Sequence, residues 1–142
     1  MVGLERVLLA KIVTTVFAWA LPLLLLPADL FVALGFPPPE PTVFLRLLGT
    51  AYAALVAGYA LGLMRARRKE YPAEAVIVGI VSNGGAAIVL GIAALSASWS
   101  AWGTLARLYM WFSLFAVTTI TLGLILARVR YQTAAQSDKS KR

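Results

Sequence analysis

Four stretches of this chain, roughly Leu8 to Leu26, Phe44 to Met64, Ala73 to Ala97 and Thr104 to Ala127, are predominantly apolar over about 20 residues each. That is the length at which an α-helix crosses a hydrocarbon core ~30 Å thick. Backbone groups in lipid find no water to bond, so stretches of this kind become helices that satisfy themselves. A soluble domain has too little interior to hide 61% hydrophobic residues against 13% charged ones in 142. The expectation is an all-α membrane protein. It is a single four-span helix bundle over residues 1–127, followed by a basic, disordered cytoplasmic tail over 128–142.

The connectors carry the orientation. Arg6 and Lys11 flank the first span, Arg65, Arg67, Arg68 and Lys69 follow the second, and Arg128, Arg130, Lys139, Lys141 and Arg142 follow the fourth. The opposite side has Asp29 and Glu40 in its longer loop. Lys and Arg accumulate on the cytoplasmic side of short loops, so both termini are expected there, in a bacterial inner membrane. The same placement explains the net charge of +7 as membrane-flanking charge and excludes nucleic acid as a partner. Asp29 is expected to cap a short interfacial helix ending at Ala33, and Pro37 to Pro39 with Pro41 to impose an extended stretch. SASWSAWG, Ser96 to Gly103, is the turn between the third and fourth spans. Pro22, Pro27 and the lack of a small-x-small cleavage site argue against reading the first span as a signal peptide.

The chain has no Cys and no His. That removes thiolate chemistry, imidazole ligation and the commonest haem ligand, so no metal or cofactor is expected and no catalytic residue is assigned. An enzyme is the weakest reading, since Glu70 and Glu74 straddle Pro72 at a helix start and make no acid/base pair.

Three places remain as candidate sites. The first is mid-membrane, where Ser82 and Asn83 stand on a ridge of Gly79, Ala87 and Gly91, opposite a second small-residue ridge of Ala54, Gly58 and Gly62. Such ridges let helices approach closely, and an amide in hydrocarbon needs a partner. Tyr52, Thr118, Thr119 and Trp19 are the expected partners for Asn83 across the helices. The two readings are a packing seam and a polar pocket open to a ligand. The second place is a cup on the non-cytoplasmic side, with Arg46 and Arg107 beside Glu40, Trp99 and Trp102, where the cations pair, snorkel or hold an anionic group. The third is the lipid-facing basic cluster Arg65, Arg67, Arg68 and Lys69, read chiefly as a topology determinant.

The run FLRLLGTAYAALVAGYALG, after a Pro-ended first span and a Pro-rich loop, resembles small bacterial four-helix membrane proteins of the DoxX-like type. Those open their second helix with Arg-x-x-Gly and continue with Gly and Tyr, here Arg46, Gly49, Gly58 and Tyr59. The resemblance covers the first half of the chain. It implies the four-helix fold and, from some members, accessory subunits of membrane oxidoreductases; no catalytic residue carries over. Two functions are therefore expected in turn: a non-catalytic accessory or structural subunit of a larger membrane complex, or a small carrier or binder of a lipid-like or anionic molecule. The expected partners are membrane lipids and other membrane-protein subunits.

Overall fold

A computed structural model describes residues 2–139, and within them the chain is helical with no strand. Helix α1, Val2–Thr14, runs through a π-helical segment, Thr15–Ala20, into α2, Leu21–Leu25. The short α3 covers Ala28–Ala33, and three long helices follow: α4, Val43–Arg67; α5, Ala73–Leu95; and α6, Thr104–Lys139. Four helices are long and apolar enough to cross a membrane: Gly3–Leu25, Val43–Arg67, Ala73–Leu95 and Thr104–Ala134. Side chains are distributed inside out relative to a soluble protein. Phe17, Val81 and Phe115 are about 70% exposed, at 68%, 69% and 71%, whereas Lys11 and Asn83 are 2% and 6% exposed.

Two boundaries differ from expectation. The first span begins near Gly3, because Lys11 lies inside the bundle and does not mark its edge. At the other terminus α6 continues to Lys139, so the segment from 128 to 139 is helical and not a disordered tail; residues 140–142 lie outside the described part. ARVRYQTAAQSDK contains neither Gly nor Pro to stop a helix. Tyr131 also anchors it, stacked on Tyr71 with ring centroids 3.9 Å apart and planes 6° from parallel. At ~1.5 Å per residue a helix of this length rises about 54 Å, far more than a ~30 Å hydrocarbon core, so α6 extends beyond the apolar layer.

The helices pack in a ring. The first span packs on α4 and on α6, and α6 packs most extensively on α5; the first span with α6 and α4 with α5 are both thin seams. Leu4, Leu8, Leu63, Ala66, Val76 and Leu124 form the buried apolar core at the basic end. Gly62 belongs to that end: a Cβ there would collide with the Cβ of Ala75, so this close approach of α4 and α5 requires glycine. The other end is joined by backbone. Gly35, at φ +89°, lies against Gly103, whose N–H donates to the Gly35 carbonyl at 2.9 Å. Asp29 sits within the first turn of α3, after Pro27, and makes no capping hydrogen bond.

Pro22 and Pro27 shape the end of the first span. Neither has an N–H, so the carbonyls four residues earlier, Ala18 and Leu23, lose their helical donors. Both are satisfied from other helices. The Tyr109 hydroxyl of α6 donates to the Ala18 carbonyl, and Arg46 Nη1 of α4 donates to the Leu23 carbonyl at 2.7 Å. Arg46 Nη2 donates to the Leu26 carbonyl at 2.7 Å.

Candidate functional site

Polar side chains of all four spans converge on a cavity of about 60 Å³ inside the ring. Lys11, Thr15 and Trp19 enter from the first span, Tyr52 and Tyr59 from α4, Ser82 and Asn83 from α5, and Ser113 from α6. Lys11, Asn83 and Tyr59 lie eight, ten and eight residues from the basic ends of their spans. At ~1.5 Å per residue that places each 12–15 Å inside the span, well past the headgroup level.

The first span owes its polar face to its irregular middle. In an α-helix, at ~100° per residue, Lys11 and Trp19 would point about 80° apart. The π-helical turn over Thr15–Ala20 turns less per residue and brings both to the cavity side, with Thr15 between them. Trp19 is then fixed by a 3.2 Å bond from its Nε1 to Ser113 Oγ and by stacking on Tyr52, centroids 6.2 Å apart.

Lys11 crosses the axis of the bundle. Its Nζ lies 4.2 Å from the centroid of the Tyr59 ring, and a Cβ on Gly79 of α5 would be 3.7 Å from its Cε. Tyr59 is 1% exposed, and its hydroxyl pairs with Ser82 Oγ at 2.8 Å, so one side chain ties the cation of α1 to α5. Among the described residues no ion pair includes Lys11, and the cavity lining contains no carboxylate. The ring face supplies a cation–π contact of about 2 kcal/mol when desolvated, far short of the hydration a buried ammonium gives up. The lining is thus rich in donors and positive in sign.

Asn83 does not bond across to another helix. Its Nδ2 donates to the Gly79 carbonyl of its own helix at 2.7 Å, the i−4 position that short polar side chains reach from within a turn. Thr118 is exposed and donates back to the Leu114 carbonyl. The two small-residue ridges also do not form a continuous seam. Gly62 and Gly79 are closely packed, but a Cβ on Gly58 or Gly91 would meet nothing within 4 Å, and Ala54 is exposed.

The other two candidates are engaged elsewhere. Arg46 is committed to the Leu23 and Leu26 carbonyls, and Arg107 donates to Thr104 Oγ1 at 3.4 Å. Trp99 is buried against Trp111, and Trp102 packs on Phe36; Glu40 is exposed and in no ion pair among the described residues. In the basic cluster Arg65 bridges Glu74 at 2.9 Å and Glu70 at 3.6 Å, pairs exposed enough to add little stability. Arg67, Arg68 and Lys69 are exposed.

Lys11 was the residue to single out. Its signal is present in the sequence: a lysine eight residues inside an apolar helix, with Thr15 and Trp19 following at intervals of four. No protein-family model, curated protein or solved structure matches the chain.

Proposed function

We propose that this chain is an integral membrane protein that binds, at the centre of its bundle, the anionic group of a small membrane-soluble molecule. The observation that carries the reading is the buried side chain of Lys11 in a lining without a carboxylate. A cation inside a bundle is paired, or else serves a substrate or ion path. Here the described residues provide an aromatic face and hydroxyls but no counter-charge, so an anionic ligand completes the site. Positive-inside bias supports a cytoplasmic location for the basic end and both termini.

The measurement is native mass spectrometry of the full chain released from its own membrane. An added mass should accompany the wild type and be lost in Lys11→Met; an identical spectrum for the two would sink the reading. Since the chain has no Cys, single cysteines at Glu40 and Ser137 test the orientation. A membrane-impermeant maleimide added to whole cells should label the first and spare the second.

A second reading, an accessory subunit of a larger membrane complex as in some DoxX-like proteins, is favoured by the open faces of Gly58 and Gly91, which no helix of this chain covers. Gly58→Leu should then release a partner seen on blue-native gels, and an unchanged complex counts against it.

A further inference from the structure

The walls of the central cavity are unequal. Its lining residues from the first span and α6, namely Lys11, Thr15, Trp19, Ser113 and Val117, are all buried. On α4 and α5 only Tyr59 and Asn83 are buried, while Tyr52, Leu55, Ser82, Ala86 and Leu90 are partly exposed. The cavity therefore opens sideways between α4 and α5, one of the two thin seams of the ring. That seam is closed at the basic end by Gly62 on Ala75. Beyond the polar groups its walls are Leu55, Ala86 and Leu90, a surface suited to a hydrocarbon chain and to no second charge.

The size of the polar end restricts the head. A cavity of about 150 Å³ accommodates a benzene ring, and one water needs roughly 10–15 Å³. At about 60 Å³ this space takes a group of a few heavy atoms, not a ring or an esterified phosphate with its glycerol. The sign is set by Lys11, and the Thr15 hydroxyl, the second N–H of the Asn83 amide and the one hydroxyl proton left by the Tyr59–Ser82 pair add donors for oxygen acceptors.

We infer that the ligand is a single-chain amphiphile ending in a carboxylate, of the fatty-acid class. Its carboxylate lies at Lys11 and its alkyl chain leaves between α4 and α5 into the lipid. This rests on Lys11 being a counter-ion site and adds the ligand's chemical class and its route.

The test uses the full chain purified in a nonionic maltoside, with radiolabelled laurate as the probe and dodecanol, phosphatidylglycerol and acetate as competitors. Laurate should bind saturably to the wild type and at least tenfold more weakly to Lys11→Met. Dodecanol and phosphatidylglycerol should not compete. Ala86→Phe, which fills the side opening and leaves Lys11 in place, should also weaken laurate at least tenfold while acetate binding is kept. Equal laurate binding by wild type and Lys11→Met, or full competition by dodecanol or phosphatidylglycerol, would overturn the inference. If acetate binds in a Lys11-dependent way and laurate does not, the counter-ion reading survives and the fatty-acid inference falls. If no anion binds, both fall.

Discussion

Two of the cations within the apolar spans of this protein, Arg46 and Lys11, are treated in opposite ways. Arg46, near the loop end of α4, has two of its guanidinium nitrogens on backbone carbonyls, one of them orphaned by Pro27. Lys11, near the middle of the bundle, has an aromatic ring below it and a small cavity beside it. Both would be noted from sequence as charges in membrane helices. What separates them is whether the chain itself provides acceptors. Arg46 completes a helix end and is structural; Lys11 is left incomplete, and an incomplete buried charge is where a ligand gains most.

The largest expected effect tests that division directly. Arg46→Ala strips two charge-assisted hydrogen bonds and leaves Leu23 and Leu26 carbonyls unpaired in or near lipid, a loss of about 3 kcal/mol. Lys11→Met removes a buried ammonium without stranding a partner and should not lower stability in ligand-free detergent. Thermal unfolding of the two variants, followed by circular dichroism, decides it. If Lys11→Met is as damaging as Arg46→Ala, Lys11 is a structural cation after all.

A smaller effect sharpens the proline account of the first span. Tyr109→Phe should lose about 1 kcal/mol, because the Ala18 carbonyl loses its donor. Pro22→Ala restores an N–H at that carbonyl, so the double variant should recover part of the loss. Strict additivity in the four-member cycle would show that tyrosine and proline are not coupled.

The smallest effect concerns the floor beneath Lys11. Tyr59→Phe keeps the ring under the ammonium and removes only the bond to Ser82, so stability should fall by about 1 kcal/mol or less and ligand binding should persist. Tyr59→Leu, which removes the ring, should weaken binding further. Equal binding by the two would show that the aromatic face has no part in the site.

Span number and helical class were legible because apolar length in lipid leaves the backbone no alternative. The content of the bundle was less so. Lys11 sits close enough to the N-terminus to pass for a flanking charge, and only its burial among four helices corrects that. Asn83 was readable as a buried polar residue, but a short amide inside a helix can reach its own i−4 carbonyl, so its partner is not fixed by depth. Matching small-residue ridges do not by themselves specify contact, since Gly62 is pressed on Ala75 while Gly58 on the same face is free. The engagement of Arg46 had a reason that was in the sequence: Pro27 marks Leu23 as a carbonyl in need of a donor.

The one-sided exposure of the central cavity has a consequence for how occupancy is set. Its partly exposed lining residues, Tyr52, Leu55, Ser82, Ala86 and Leu90, all belong to the two membrane-spanning helices α4 and α5. A molecule arriving between those helices is drawn from a two-dimensional reservoir, so the quantity that fills the site is its mole fraction among bilayer lipids. Diluting a vesicle suspension with buffer would leave such a site occupied, whereas fusing the vesicles with ligand-free lipid would empty it.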